Sequence, residues 1–535
     1  MRRLFPHALV ILFLGILSAG TASATTYYIA ANGSDSNNGT SQTSPWLHAP
    51  GMPSCTGTCA STTPQAGDSF IFRGGDTWHF YSGSPSVGGS WSWSWSGSST
   101  NCQLNSSAGA VDKTSCIYIG VDQTWFSGAS YSRPTFSQDN PITTARPGSC
   151  SHDSTNFNAI NLGNQNYVIL DGLEMSGVCW QGGANAEWVV AAGTQVEVSN
   201  NYFHGWIYGS GSSSDDYAAI SGNMPKGNYI LCDHNVFDNR DGSLGATAGQ
   251  ASGFAIYNSC KEIAYNVFSH VSNGCICNPA SVHDNLFQYL YEPQGSQHGN
   301  IVETNTAQSV TGPVYFYNNV IHNTNEGVGV WLETVSDNLY FFGNVSWHYR
   351  ENSDGTNGND GTNCYMLDQT SSSASVYFYN NSNDYPCNFR IINGASPTLH
   401  FGNGQYIGYS GGLTSTYTTS GPVVDDGHEI FQSEAAANGQ GYMPANNYAP
   451  TAAGDATVGA GANFSSFCSR MPSASAASAC TSGIGEVSYD TTNHVAVPVP
   501  PVSRPGSGAW DVAAYQYGSG ATMPSPPTGL AALVQ

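Results

Sequence analysis

The feature that most constrains the fold is a short strand-like segment that recurs along the chain and each time ends at asparagine. VYFYNN occurs at residues 314–319 and again at 376–381, and the related LYFFGN lies between them at 339–344. Apolar and polar residues alternate with period two in these segments, which predicts β-strands rather than helices. Seven such segments share an asparagine, at Asn201, Asn235, Asn266, Asn285, Asn319, Asn344 and Asn381.

The steps between these asparagines are 34, 31, 19, 34, 25 and 37 residues. One strand per repeat of this length predicts a solenoid whose coils stack and extend long sheets. Leucine-rich repeats need leucines at fixed offsets, which this sequence lacks, and propeller blades need four strands at a steadier period. We therefore predict an all-β parallel β-helix, in which insertions lengthen the loops and leave the stack intact.

The asparagines have a predicted place at a corner of each coil. The chain must bend sharply after the strand, and asparagine tolerates the left-handed backbone region better than most residues. Stacked one coil apart, the side-chain amides would hydrogen-bond in a ladder. We expect Asn235, Asn266, Asn285, Asn319 and Asn344 to line up at one corner of the solenoid.

The N-terminus predicts export. Arg2 and Arg3 precede an apolar run at 8–17, and small residues follow at 22–24. This is the pattern of a signal peptide at 1–24, so we predict a secreted or periplasmic mature chain. No later stretch is long and apolar enough to predict a membrane span.

Fourteen cysteines are an even count, and in an exported chain they predict disulfides. The sequence leaves the connectivity open, although we expect mainly partners that are close along the chain. Five local pairs stand out: Cys55/Cys59, Cys102/Cys116, Cys150/Cys179, Cys364/Cys387 and Cys468/Cys480.

The charge balance excludes one class of partner. The chain has 13 basic and 36 acidic residues, and removal of the signal peptide leaves 11 basic residues and a formal charge of −25. Nucleic acid is therefore not an expected partner, because no basic surface is available to neutralise phosphates. A polyanionic substrate would be repelled unless a cation lay between it and the protein.

Three segments resemble known β-helix proteins. YYIAANGSDSNNGTSQTSPW at 27–46, GDSFIFRGGDTW at 67–78 and RPGSGAWDVAAYQY at 504–517 resemble the first segment, first coil and terminal segment of the pectate-lyase-like superfamily. The resemblance implies a secreted, right-handed parallel β-helix with N- and C-terminal capping segments. It implies little about chemistry, because this fold hosts lyases, hydrolases, epimerases and binding proteins.

This organisation divides the mature chain into four expected parts. We expect an N-terminal cap and first coils at 25–150, central coils at 151–410, last coils and a C-terminal cap at 411–520, and a linker-like tail at 521–535.

Three strand-like segments end in an acid. NIVET, VWLET and YMLDQT place Glu303, Glu333 and Asp368 at steps of 30 and 35 residues, which are whole-coil steps. Adjacent coils lie roughly 4.8 Å apart, so these acids are predicted to form a column on the outside of the solenoid. Such a column needs a cation, a shared proton or full solvation. Calcium is the predicted cation, and solvated surface acids are the simpler alternative.

The same column would suit catalysis. Retaining glycosidases place two carboxyl groups about 5–5.5 Å apart, and inverting ones about 6.5–9.5 Å apart. His298 stands just ahead of Glu303 and would move protons. We therefore predict Glu303, Glu333 and His298 as catalytic residues. A lyase would need a base instead, which in the superfamily it resembles is commonly lysine or arginine, and Arg240 and Arg350 lie in predicted loops.

A tryptophan-rich run completes the set of candidate sites. SWSWSWSGS at 90–98 would place Trp91, Trp93 and Trp95 on one face of a strand. Exposed indoles stack on sugar rings, whereas the alternative is that this face packs into the core. We predict an exported monomer that acts on a plant or microbial polysaccharide, as a lyase or glycoside hydrolase. The alternative is a non-catalytic surface glycan binder or adhesin.

Overall fold

The computed structural model is a parallel β-helix in which successive coils add one strand to each of three long parallel sheets. The predicted all-β, parallel β-helix fold is therefore confirmed. The structure describes residues 24–104, 111–145, 147–180, 186–208, 217–222, 228–242, 253–290, 300–304, 312–324, 328–349, 363–368, 373–385, 387–393, 397–443, 446, 448–485 and 487–518.

Sheet 1 has thirteen strands and contains the VYFY and LYFF segments of the repeat. Its strands are Thr26–Ile29, Ser69–Gly74, Ile117–Phe126, Val168–Asp171, Val196–Ser199, Ile230–Asp233, Glu262–Ala264, Ser281–His283, Val314–Tyr317, Leu339–Phe342, Ser375–Tyr379, Thr398–Gly402 and Val423–Asp425.

Sheet 2 follows sheet 1 in each coil and has twelve strands, most of them three residues long. They are Thr77–His79, Thr135–Ser137, Glu174–Ser176, Tyr202–Phe203, Val236–Asp238, Val267–Ser269, Leu286–Gln288, Val320–Thr324, Val345–Tyr349, Ser382–Asp384, Gln405–Ile407 and Ile430–Gln432.

Sheet 3 precedes sheet 1 in each central coil and has eleven strands. They are Trp91–Ser92, Phe157–Gly163, Ala186–Ala191, Tyr217–Ser221, Gly253–Tyr257, Asn273–Ile276, Asn300–Glu303, Val328–Glu333, Asn363–Asp368, Asn388–Ile392 and Tyr417–Thr418.

A few short elements lie outside these sheets. Cys179–Trp180 pairs in parallel with Ile207–Tyr208, and Val487–Asp490 pairs antiparallel with Val495–Pro498. The described helices are Gly57–Ser61, Glu434–Gly439, Ser465–Cys468 and Ala474–Cys480, with one 3-10 turn at Leu413–Ser415.

The corner between sheets 1 and 2 is the constant part of the coil. Two residues separate the strands there in every coil from 168 to 407. The connections on either side of sheet 3 vary instead, from three residues at 270–272 to fourteen at 239–252. The uneven steps of the sequence repeat are therefore confined to the two sides of sheet 3.

The asparagine ladder occupies this constant corner, as predicted. Oδ1 of Asn319 accepts from the backbone nitrogen of Asn285 at 3.2 Å and from its Nδ2 at 3.0 Å. The same pair of bonds joins each coil to the next from Asn201 to Asn381, and all seven side chains are fully buried. Burial strengthens these bonds and makes each amide costly to lose.

The backbone at the corner corrects one expectation. The left-handed residue is the one before each ladder asparagine, and residues as different as His234, Tyr265 and Asp284 adopt it with φ near 55°. Asparagine is required at the ladder position because its amide both donates and accepts between coils. Its tolerance of left-handed backbone is not the reason.

The core of the solenoid is filled by stacked side chains from successive coils. Phe203, Phe237, Phe268 and Phe287 stack in a row inside sheet 2, with ring centroids 4.6–5.1 Å apart. One residue per coil supplies each such row, so the in-register stacking repeats the same packing from coil to coil.

A C-terminal segment, residues 433–518, folds back along the outside of the solenoid. Cys468, Met471 and Ala476 pack on tyrosines of sheet 1, including Tyr315 and Tyr340. Further on, Ile484, Val487 and Ala496 pack on an apolar row of sheet 2. The segment therefore covers parts of two of the three outer faces.

All fourteen cysteines are paired, and the five pairs expected from proximity are all present. Two more pairs complete the set. The disulfides are Cys55–Cys59, Cys102–Cys116, Cys150–Cys179, Cys232–Cys260, Cys275–Cys277, Cys364–Cys387 and Cys468–Cys480. In the described part of the chain, no helix is long and apolar enough to cross a membrane. Residues 1–23 of the predicted signal peptide and the tail at 521–535 lie outside the described residues.

The ladder predicts that substitutions at the two corner positions differ sharply in their effect on the free energy of unfolding. Asn285→Ala leaves buried donors of Asn266 and the buried carbonyls of Ile263 and His283 without their partner. At about 1–3 kcal/mol for each unsatisfied group, we expect the free energy of unfolding to fall by about 3–5 kcal/mol, measured by urea denaturation.

The control is Asn200→Gly, at the exposed left-handed position before Asn201, where the preceding coil already has Gly172. We expect a loss of about 1 kcal/mol or less there. Equal losses in the two variants would mean that the ladder has no special role.

Candidate functional site on sheet 3

Two of the three acids of the predicted column lie side by side on sheet 3. Glu333 pairs in register with Asp368 on the adjacent strand. Glu303, however, pairs with Trp331, which lies two residues before Glu333. The prediction of a single column of three acids is therefore wrong. On the strand that follows that of Glu303, the residue in register is Trp331, and the acid Glu333 comes two residues later.

The paired acids are held from several sides. Asp368 is 5% exposed, and Nδ2 of Asn393 donates to its Oδ2 at 2.9 Å. Within the described residues, no donor reaches Oδ1 of Asp368. The hydroxyl of Thr304 bonds to the backbone of Glu333, donating to its carbonyl at 3.1 Å and accepting from its nitrogen. The backbone under this pair is thus fixed by the preceding coil.

Glu303 and Trp331 make a second, adjacent position on the same face. Nδ2 of Asn300 donates to Oε2 of Glu303, and both Glu303 and Trp331 are partly exposed. Arg390, which is exposed, continues this row two strands beyond Trp331, through Met366. The row along the outside of sheet 3 is therefore an acid, an indole, Met366 and a guanidinium.

Long connections border this part of sheet 3. Ten residues, 304–313, follow the strand of Glu303, and thirteen, 350–362, precede the strand of Asp368. Connections of this kind commonly carry binding and catalytic residues on a rigid scaffold. The predicted catalytic His298 and the loop residue Arg350 lie outside the described residues.

The predicted calcium site would need more oxygen ligands than its described residues bring together. Calcium takes six to eight oxygen ligands, whereas Glu333 and Asp368 supply two side chains and Glu303 is displaced from them. In the described residues, no group of three His, Cys, Asp or Glu side chains could hold a metal ion. These residues do not fit a calcium cage, so calcium remains a prediction of the sequence.

The predicted exposure of the three tryptophans as a sugar-binding surface is wrong for two of them. Trp91 and Trp93 are 0% and 2% exposed and belong to the core, while Ser92 and Ser94 between them are exposed. Trp95 is partly buried against the same core. The three indoles share one face as predicted, but that face points inward and packs in the core.

Sequence reasoning missed a polar network on the outer face of sheet 1. On one side, the hydroxyl of Tyr118 donates to Asp171 at 2.6 Å, and Nζ of Lys113 lies 2.7 Å from Glu197. Asp233, one strand on, bonds to His234 at 2.8 Å. This half of the network is anchored by Lys113, which lies in the loop closed by the Cys102–Cys116 disulfide.

The other half of the network is centred on His283. Its Nε2 lies 3.1 Å from Glu262 and its Nδ1 lies 2.7 Å from Asp284. Tyr229 donates to Glu262 at 2.6 Å. Burial disfavours the charged imidazole, but the hydrogen bonds that it donates to Asp284 and Glu262 outweigh this effect and raise the pKa of His283 to about 9.

The position of each residue relative to the ladder could have revealed this network. Asp171 and Asp233 end their sheet 1 strands two residues before the ladder position, and Asp284 stands one residue before it. Asp171, Glu197 and Glu262 each bond to a donor from an earlier coil, so the network holds loops and coils together. We therefore place the candidate site on sheet 3.

Comparison with known proteins shows distant likeness only. No family model and no curated protein matches the chain. Among solved structures, the chain is similar to the pectate lyase Pel9A, with 13% identity over 93% of this chain and 98% of that chain and a TM-score of 0.39. A GH136 lacto-N-biosidase from Eubacterium ramulus is 11% identical over 76% of this chain and 68% of that one, with a TM-score of 0.38.

A third similar structure is a rhamnogalacturonan lyase, 14% identical over 72% of this chain and 74% of that chain, with a TM-score of 0.30. Likeness at these levels carries no argument about activity. The class of fold rests on the three parallel sheets themselves, which define a parallel β-helix.

Glu197 gives a pH-dependent prediction. Burial and the neighbouring charge of Asp233 outweigh the contact with Lys113 and raise the pKa of Glu197 to about 7. Protonation is thus favoured in the folded state, so its contribution to stability is complete below pH 4.5 and is lost as the pH rises through 7. We expect Glu197→Gln to gain up to about 3 kcal/mol over the natural protein between pH 4.5 and 7.5, measured by urea unfolding.

Glu262→Gln is the control of opposite sign. Burial opposes ionisation of Glu262, but hydrogen bonds from His283 and Tyr229 lower its pKa, so its contribution is present at neutral pH and is lost on acidification. The Gln variant should therefore be less stable than the natural protein at pH 7. An unchanged pH profile in Glu197→Gln would contradict the assignment.

Proposed function

We propose that this protein is a glycoside hydrolase that cleaves a polysaccharide along the outer face of sheet 3. The observation that carries the proposal is the in-register pair of Glu333 and Asp368 on adjacent strands. Neighbouring strands are about 4.8 Å apart, which is close to the carboxyl separation of retaining glycosidases. Seven disulfides support action in an oxidising compartment outside the cytoplasm.

Each carboxyl group has a different role in the proposed reaction. Asn393 holds Oδ2 of Asp368, whereas Oδ1, which is buried, has no donor among the described residues, and we assign Asp368 as the nucleophile through Oδ1. As Oδ1 bonds to the anomeric carbon, Glu333 gives its proton to the departing glycosidic oxygen. Water then breaks the bond to Asp368 and returns a proton to Glu333, which restores both groups.

The adjoining row supplies binding for the chain of sugars. The partly exposed ring of Trp331 offers an apolar surface to a sugar, and Glu303 beside it accepts hydroxyl hydrogen bonds. A polymer laid across successive strands would thus meet a binding position next to the reacting pair.

A lyase is the second candidate, and Arg390 favours it. This exposed guanidinium lies one strand beyond Met366, which shares its strand with Asp368. In a lyase the base would remove a proton beside a uronate carboxyl and leave an unsaturated sugar. The ultraviolet absorbance of unsaturated ends separates the lyase from the hydrolase, which releases saturated reducing ends.

Two isosteric variants test the proposed pair. We expect Glu333→Gln and Asp368→Asn each to lower polysaccharide turnover by roughly a hundredfold or more, because each removes one reacting carboxyl group. Turnover is measured as reducing ends released from a panel of plant and microbial polysaccharides, and the melting temperature should stay unchanged. Full activity in both variants would sink the assignment.

Asp337→Asn is the matched control, since Asp337 is an exposed acid four residues after Glu333 and off the sheet. It should keep full activity. The first product released should have the same anomeric configuration as the substrate, seen by NMR, and an inverted product would contradict Asp368 as nucleophile. Binding of a polysaccharide without cleavage would instead identify a glycan-binding protein.

A further inference from the structure

A second concave site lies on the outer face of sheet 1, where the C-terminal segment meets the last coils. It is a cavity of about 520 Å³, within the range of small-molecule sites. Sheet 1 and the turn after it supply Tyr340, Tyr377, His400 and Asp426 to its wall, while Phe467 and Arg470 come from the C-terminal segment. The cavity therefore lies between two parts of the chain, sheet 1 and the C-terminal segment.

Aromatic rings form one wall of this cavity. Tyr340 and Tyr377 stack with centroids 5.3 Å apart, and His400 continues the stack 4.9 Å from Tyr377. Phe467 reaches across from the C-terminal segment, 4.9 Å from Tyr377 and tilted by 53°. Tyr377 and Phe467 are only partly buried, so part of this aromatic surface borders the open space.

Two groups of opposite charge stand in the same cavity. Oδ2 of Asp426 accepts from the hydroxyl of Tyr379 at 2.6 Å and bonds to Nδ1 of His400 at 3.2 Å. Its other oxygen receives no donor among the described residues. Arg470 is exposed, and its Nε donates to the carbonyl of Ser466 at 2.9 Å. No described carboxylate lies within ion-pair distance of Arg470.

This combination is suited to a sugar. A pyranose ring has an apolar face that packs on aromatic rings, and adjacent hydroxyl groups that donate to a carboxylate and accept from a guanidinium. A phosphorylated ligand would require more than the single arginine found there, and a purely apolar ligand would leave Asp426 and Arg470 without partners.

We propose that this cavity is a second carbohydrate-binding site, which takes one sugar unit or the end of a glycan chain. Asp426 and His400 bind hydroxyl groups, Arg470 binds a hydroxyl or carboxyl group, and the ring edges of Tyr377 and Phe467 contact the sugar face. The proposal does not depend on the reaction at Glu333 and Asp368, which lie on sheet 3.

Saturation-transfer NMR on the full protein tests the site. The probes are D-glucose, D-galactose, D-mannose, D-xylose, L-rhamnose, N-acetyl-D-glucosamine, D-galacturonate and D-glucuronate. We expect at least one to bind, with a Kd weakened about tenfold or more by Asp426→Asn, since a hydrogen bond to a charged group contributes about 1.5–3 kcal/mol. A uronate preferred over its neutral counterpart would assign a carboxyl group to Arg470, and the reverse would assign a hydroxyl group.

Three variants keep this result interpretable. Asp425→Asn changes the neighbouring acid, which does not line the cavity, and should leave binding unchanged. Arg470→Gln, on an exposed residue, should weaken binding without unfolding the protein. Glu333→Gln should leave this binding intact. Transfer to none of the eight sugars, transfer that survives both cavity variants, or loss of transfer in Glu333→Gln would each overturn the proposal.

Discussion

The buried asparagine ladder is the interaction on which the rest of the solenoid depends. Each amide oxygen accepts two hydrogen bonds from the preceding coil, which fixes where the chain leaves sheet 1 and begins sheet 2. Because only two residues make this corner, sheets 1 and 2 are both held in register. The coils therefore differ in length only in the connections before and after sheet 3. The rigid corner and the variable face are therefore two consequences of one constraint.

The fold could be predicted from the sequence because the ladder has a chemical signature that few residues can replace. A buried amide that must both donate and accept leaves asparagine at the same offset from every strand, whatever the loop length. The left-handed corner left no such signature, since His234, Tyr265 and Gly343 all adopt it. The sequence therefore predicted the stacking correctly but assigned the wrong physical reason to the asparagine.

The candidate site was harder to predict because sheet 3 has no constant turn to set its register. Glu333 and Asp368 pair as expected, but Glu303 is displaced by two residues. A similar ambiguity affected Trp91 and Trp93, since an alternating pattern shows which residues share a face and not which side faces the core. The sheet 1 network was missed for a different reason: its acids, such as Asp171 and Asp233, are distributed one per coil and match no local motif.

The folded-back C-terminal segment affects the cooperativity with which the protein unfolds. Stacked coils contact only their neighbours, so a solenoid tends to lose its ends stepwise, and the disulfides here span at most 29 residues. The C-terminal segment, by contrast, joins residues 360 positions apart through Arg133 and Asn493, and 251 apart through Tyr489 and Asp238. The C-terminal segment thus bridges coils that are distant in the stack. This coupling favours the unfolding of those coils as a single cooperative unit.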